Sequence, residues 1–261
     1  MLYEQEESRV GNNSSIDVNH LSVHYHGNIA LKNISFSVQE GSIVGVIGPN
    51  GAGKSTLMKA MLGLEKSTGS VSFFGKHVKE LRKNIAYVPQ RNSIDWDFPV
   101  RVEDVVLMGR YPHIPWYKKM SKYDKEIAKE SLKKVGMEQF SHRQIGELSG
   151  GQQQRVFIAR ALAQKSDMFF LDEPFVGIDV KSEEIIVDLL HQLRDLGKTI
   201  FVIHHDLSKV EKYFDQLVLL NQELIDAGSV EEVYSAENLK KAYQGSAALV
   251  SQGNELVVVN P

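Results

Sequence analysis

Gly48-Pro49-Asn50-Gly51-Ala52-Gly53-Lys54-Ser55 is the stretch on which the reading of this chain turns. Before it, Ser42 to Ile47 is a short apolar run, the pattern of a strand buried on both faces. A helix is expected to begin near Lys54. Glycines let the backbone wrap tightly with its N–H groups pointing inward, and the helix N-terminus adds a partial positive charge. Strand, glycine-rich turn, lysine, hydroxyl and helix together form a cradle for phosphate. Four fixed positions of this kind recur by accident in roughly one chain per hundred of this length, and the strand–turn–helix context makes chance rarer still. The Lys54 ammonium is expected on the β- and γ-phosphates of a nucleotide. The Ser55 hydroxyl, with Thr56 beside it, is expected on Mg²⁺.

Working outward, Met168-Phe169-Phe170-Leu171-Asp172-Glu173 reads as a second buried strand, ending in two carboxylates. Asp172 is placed to hold Mg²⁺ through water, and Glu173 to polarise an attacking water as general base. Further strands are predicted at Asn84 to Val88 and Thr199 to Ile203, with a helix from about Val180 to Leu196. Buried strands alternating with helices argue for a parallel sheet covered on both faces. Ile16 to Val38 alternates apolar and polar residues around a Gly27-Asn28 turn, which predicts an antiparallel β region. From residue 91 to 166 the periodicity turns helical, with a segment rich in proline and aromatics; this reads as an inserted helical subdomain. The expected organisation is a loose extension over 1–15 and one nucleotide-binding domain over 16–248. Its core comprises 16–90 and 167–248, and a tail over 249–261 carries a strand-like Glu255 to Val259.

Composition narrows the classes. The chain has 261 residues, 30 basic and 33 acidic, for a formal net charge of -3, so global charge makes no case for nucleic acid. Cysteine is absent, which excludes disulfides, thiol catalysis and cysteine metal sites. No stretch approaches the roughly 18 consecutive apolar residues of a membrane span. Any membrane role is expected to be peripheral.

Leu148-Ser149-Gly150-Gly151-Gln152 decides the class. Such a string arises by chance in about one chain in several thousand. Ser149 stands where an N-cap belongs, before a helix whose expected inner face is Val156, Ala159, Leu162 and Ala163. That makes a second anion-binding helix terminus. One nucleotide does not need two cradles from one chain, whereas two copies head to tail would sandwich each nucleotide between them.

With these motifs in this order, Ile16 to Gly245 resembles the ATPase subunits of ATP-binding-cassette (ABC) transporters. The resemblance implies an α/β P-loop NTPase core with a parallel sheet, an N-terminal antiparallel β region and an inserted helical subdomain, with ATP and Mg²⁺ as cofactors. It implies roles residue by residue. Tyr25 would stack on adenine and Gln90 would sense Mg²⁺ and the attacking water. Asp179 would be the acid of the loop crossing the dimer interface, although Val176-Gly177-Ile178 stands where many relatives carry Ser-Ala-Leu. His205 matches the histidine on the γ-phosphate, while spacing alone does not choose between it and His204. Gly48, Pro49, Asn50, Gly51, Ala52, Gly53, Lys54, Ser55 and Thr56 would hold one ATP, and Ser149, Gly150, Gly151 and Gln152 the partner's.

Implied partners are a second copy of the chain, a dimer of an integral membrane permease and an extracytoplasmic metal-binding protein, with the chain on the cytoplasmic face of the membrane. Val88-Pro89-Gln90-Arg91, Asp95-Trp96-Asp97-Phe98-Pro99 and Val105-Val106-Leu107-Met108-Gly109-Arg110-Tyr111 are similar to the ATPases of bacterial manganese, zinc and iron importers. Arg91 to Pro99, with Met108, Tyr111 and Trp116, is expected to line a groove for a short permease helix. Two alternatives stay open: an importer of iron-siderophore or haem, and a soluble ABC ATPase without transport.

Overall fold

A computed structural model describes residues 14–243, 248–252 and 255–259. In chain order the elements are β1 (Ser14–Tyr25), β2 (Asn28–Gln39), β3 (Ile43–Ile47), α1 (Lys54–Met61), β4 (Thr68–Phe73), β5 (Lys76–His77) and β6 (Ile85–Val88). Then come α2 (Val102–Leu107), α3 (Lys122–Lys134), α4 (Gly150–Ala163), β7 (Met168–Leu171), α5 (Val180–Asp195), β8 (Thr199–Ile203) and α6 (Val210–Tyr213). The chain continues through β9 (Gln216–Asn221), β10 (Glu223–Ser229), α7 (Val230–Val233), α8 (Ala236–Tyr243), β11 (Ala248–Gln252) and β12 (Glu255–Val259).

One sheet is antiparallel, in the order β2-β1-β4-β5, and a second runs β10-β9-β3-β8-β7-β6. In the second, β9, β3, β8, β7 and β6 are parallel and only the edge strand β10 is antiparallel. The central strands are apolar on both faces because each face meets a different core. Ile43, Ile47, Phe169, Leu171, Ile200 and Val202 pack against the helices, including α4 and α5. Val44, Val46, Met168, Phe170, Phe201 and Ile203 face the other way, toward α1 and the antiparallel sheet. Alternate side chains point to opposite faces, so a continuous apolar run is what this position requires. Phe170 lies at the centre of the second core, 5.3 Å from Phe201 and 6.0 Å from Phe73 between ring centres.

The segment 91–166 is helical as expected, with an isolated bridge at Arg101 and Gln144. Its α4 has the expected inner face: Val156, Ala159, Leu162 and Ala163 are all buried. Four boundaries differ from the sequence reading. The β1–β2 turn sits at His26-Gly27, one residue earlier than read. Ser14 and Ser15 belong to β1 rather than to a loose extension; Ser15 is fully buried and its hydroxyl donates to Val38 O at 3.4 Å. The rest of that extension, 1–13, lies outside the described residues. The sequence reading does not place β4, β5, β9 and β10: β4 is mostly exposed and β10 half-exposed, with little apolar alternation, while β9 is a buried apolar run that it passes over. The tail holds not one strand but a pair, registered from Ala248↔Val259 to Gln252↔Glu255.

Candidate functional site

Parallel strands carry their carboxyl ends to one edge, the edge at which open α/β sheets bind ligands. Here Val88 pairs with Leu171, Leu171 with Val202, and Val46 with Ile203. The residues that follow these strand ends are the glycine-rich turn after β3, Gln90 after β6, Asp172 and Glu173 after β7, and His204 and His205 after β8.

The turn is built for close approach. Gly48 has φ +151°, and a Cβ there would stand 2.0 Å from Leu220 O, so no side chain fits. Lys54 is buried at the start of α1, and its Nζ donates to Gly48 O at 2.7 Å and Pro49 O at 2.9 Å. Burial lowers its pKa, against the opposing pull of Glu173 and Asp172. Ser55 Oγ donates to Asp172 Oδ1 at 3.0 Å. Asp172 is 3% exposed, and burial raises its pKa despite the hydroxyl. Tyr87 on β6 is a residue that sequence reasoning passed over; burial first and the Asp172 carboxylate second push its hydroxyl up to about 12. Its signal was its place on a strand ending at Gln90, but nothing in a lone tyrosine marks the face it takes.

Gln90 and Glu173, 83 residues apart, meet: Gln90 Nε2 donates to Glu173 Oε2 at 2.6 Å. Glu173 has φ +50°, in the left-handed region that a side chain with a Cβ rarely adopts. Such strain costs on the order of 1–3 kcal/mol and persists only where surrounding structure imposes it. The neighbouring pair of histidines separates by burial. His204 is 2% exposed, ringed by Phe175, Tyr213 and Phe214, and its pKa falls to about 4 through burial first and the neighbouring His205 second. His205 is exposed.

Ser149 caps α4 as expected, accepting from Gln152 N at 3.4 Å while Gln152 Oε1 accepts from Ser149 N at 2.9 Å. Among the described residues no hydrogen bond or ion pair joins Ser149, Gly150 or Gln152 to the turn 48–56. This helix terminus packs instead against the start of α5, where a Cβ on Gly151 would stand 2.4 Å from Ser182 Oγ and 2.7 Å from Asp179 Oδ2. Asp179 caps α5, accepting from Ser182 N at 2.9 Å and Ser182 Oγ at 2.8 Å. Those hydrogen bonds hold its carboxyl below the usual range. Tyr25, at the end of β1, is 38% exposed.

A groove of about 210 Å³ opens in the helical segment, walled by Ile94, Trp96, Phe98, Val105, Met108 and Phe157 among others. Met108 takes the place expected of it. Tyr111 and Trp116 do not line the groove; they are 60% and 95% exposed. The turn from Met108 to His113 leaves Tyr111 outward while Arg110 points inward, to Asp124 and Ala163 O, and Trp116 lies beyond that turn.

The assembled features are those of a nucleoside triphosphatase. Comparison with known proteins gives the class. The ABC transporter family model matches residues 31–176. The manganese transport system ATP-binding protein MntB of Halalkalibacterium halodurans is 65% identical over 95% of this chain and 99% of its own. The zinc transport system ATP-binding protein TroB of Treponema pallidum is 47% identical over 92% of each. Among solved structures, an inward-facing metal-chelate-type ABC transporter superposes with a TM-score of 0.82 at 28% identity, covering 95% of this chain and 98% of that one. A dimeric ATP-binding cassette in a post-hydrolysis state with ADP and Pi gives 0.72 at 30% identity, over 82% and 98%. The chain belongs to the ABC transporter family, as one of its ATP-binding, ATP-hydrolysing subunits. Among the described residues no helix is long and apolar enough to cross a membrane.

Proposed function

We propose that this chain powers a bacterial importer of manganese or a chemically similar divalent transition metal. In this reading it is a homodimer on the cytoplasmic face of the membrane, beneath a permease dimer fed by an extracytoplasmic metal-binding protein. The observation that carries the motor is the meeting of Gln90 with Glu173 at a strained backbone position beside the Ser55–Asp172 pair. The cargo rests on 65% identity to a manganese system across nearly the whole chain, against 28% to the metal-chelate type.

This reading assigns the roles residue by residue, and the hydrogen bonds around Asp172 and Glu173 support it. The backbone N–H groups from Asn50 to Thr56 and the Lys54 ammonium take the phosphates, Gly48 and Pro49 shape the turn, and Tyr25 takes the adenine. The Ser55 hydroxyl, the Asp172 carboxylate and the Gln90 amide oxygen are hard oxygen donors, the set that suits Mg²⁺. Bound with ATP, Mg²⁺ neutralises charge on the phosphate oxygens. Glu173 accepts the proton of the attacking water, Gln90 fixes that carboxylate, and His205, exposed where His204 is not, faces the γ-phosphate. Ser149, Gly150, Gly151 and Gln152 serve the partner's ATP, with Asp179 between the copies.

Work is done only if ATP favours the closed pair. Moving a closure equilibrium from 1:99 to 99:1 takes about 5.5 kcal/mol of differential binding. Two γ-phosphates, each bridging two chains, are a sufficient source, and hydrolysis removes the bridge. The groove walled by Trp96 and Phe98 takes a short permease helix and passes closure on.

The test is uptake by vesicles holding the chain with its permease and binding protein, offered manganese, zinc, or an iron chelate. Manganese or zinc accumulation that Glu173→Gln lowers about 10²-fold or more is expected. Accumulation of the chelate alone would sink the cargo, and full uptake by Glu173→Gln would sink the catalytic assignment.

A further inference from the structure

Arg91 plays no part in the roles above, yet its side chain touches three elements at once. Its Nε and Nη2 both donate to Gln153 Oε1, at 3.1 and 2.9 Å. Gln153 is buried in the first turn of α4, and its Nε2 donates to Ile145 O at 3.2 Å. It therefore cannot turn away without leaving buried polar atoms unpaired. The Arg91 carbonyl accepts from Trp96 Nε1 at 3.0 Å, and Cζ lies 5.6 Å from the Trp96 ring centre, within cation–π range. A Cβ on Gly150 would stand 3.1 Å from Arg91 Cζ, and one on Gly177 3.8 Å from Nη1. The guanidinium thus fills the space between the N-terminus of α4 and the turn before α5. Trp96 and Ile145 both line the groove. The backbone of Arg91 continues directly from Gln90, whose amide holds Glu173.

We propose that Arg91 is the positioning residue that couples the groove to the ATP-hydrolysing elements. Pressure of a partner helix on Trp96 shifts Arg91. Arg91 then moves the Ser149-Gly150-Gly151 terminus through Gln153, and Gln90's hold on Glu173 through the chain itself. This rests on the reading that the groove takes a permease helix. Arginine suits the task because its planar fork offers two donors to Gln153 while its face stays on the indole; lysine is a point charge without that face. Gly150 and Gly177 leave the room that the fork needs.

The experiment uses the whole transporter in vesicles and reads three quantities: co-purification of the permease, the ATP KM, and the kcat stimulated by cargo-loaded binding protein. Arg91→Met is expected to keep the permease and a KM within about twofold of the parent while stimulated kcat falls about tenfold or more. Arg91→Lys is expected to recover part of that loss. Stimulation retained within about twofold in Arg91→Met overturns the proposal. So does an equal loss in KM and kcat, which would mark a purely structural role. If Arg91→Met fails to fold, Arg91→Lys and Gln153→Met decide: a shared loss of stimulation supports the coupling, and a parental response in both overturns it. Phe98→Asp separates the two readings. A Phe98→Asp transporter that assembles and responds like the parent removes the groove reading and, with it, the direction of coupling assigned to Arg91. An assembled but unresponsive Arg91→Met transporter, with Phe98→Asp failing to assemble, upholds both.

Discussion

Glu173 and His204 illustrate what single residues contribute. Glu173 is held at φ +50°, so its carboxylate leaves the end of β7 at an angle that an extended residue would not give, and Gln90 meets it there. His204 does the opposite of catalysis: it is a buried neutral ring in an aromatic shell, its Nε2 without a hydrogen-bond partner. Its pKa near 4 sits below the ordinary 6.5. Between those values the unfolded chain takes a proton that the folded chain refuses, so stability is full above about pH 6.5 and falls toward pH 4. The loss from this group between about pH 7.5 and pH 5 is on the order of 2 kcal/mol. His204→Phe should keep the packing and flatten that limb, as read by urea denaturation at the two pH values. An unchanged acid loss in the variant would refute it. The motif positions Lys54, Ser55, Asp172 and Glu173 could be read from the chain, because each sits at a fixed offset from a buried strand. The choice between His204 and His205 could not, because two adjacent histidines share one spacing and differ only in which side of the strand end is covered.

At the scale of elements, the helical segment shows how a string that resembles a coupling region also carries structure. Arg110 Nε pairs with Asp124 Oδ1 at 3.1 Å, both side chains at most 10% exposed, and Arg110 Nη1 donates to Ala163 O at 2.8 Å. One guanidinium thus ties the 108–113 turn to the start of α3 and the end of α4. Arg110→Met should cost about 3 kcal/mol in urea denaturation, because it takes the cation from the buried Asp124 carboxylate and leaves it only the Ser121 N–H and hydroxyl. A loss below about 1 kcal/mol would show that the carboxylate finds water instead. The N-terminus of α4 gives a functional counterpart. Ser149 is exposed, so Ser149→Arg has room and costs only a cap, about 1 kcal/mol. ATP binding should stay within about threefold, since the chain's own cradle is elsewhere, yet ATP-driven dimers should vanish. Sedimentation in a Glu173→Gln background checks this, and a stable ATP-bound dimer of the double variant would contradict it. Apolar runs exposed β3, β7 and β8 in the sequence because both of their faces are buried. The weakly patterned β4 and β10 escaped because an edge or half-exposed strand needs no such run.

For the molecule as a whole, Gln90 meets Glu173 at the strand ends, and the residues after it run on to the groove. Phe98, 59% exposed on the groove, is a large apolar side chain in a position where a partner would bury it. Phe98→Asp should leave the melting temperature unchanged while permease co-purification and metal uptake fall about tenfold or more. Normal assembly of that variant would mean that the permease docks elsewhere.

The sequence by itself determined the glycine-rich turn before α1, the paired carboxylates and the helix capped by Ser149, because each is local. A turn, a lysine and a hydroxyl within eight residues encode their own backbone geometry. Only the tertiary structure decided which of these meet. Ser55 reaches Asp172 across 117 residues and Gln90 reaches Glu173 across 83, and Arg91 finds Gln153 across 62. Those meetings depend on strand order and on the packing of both sheet faces, which are properties of the whole core rather than of any segment.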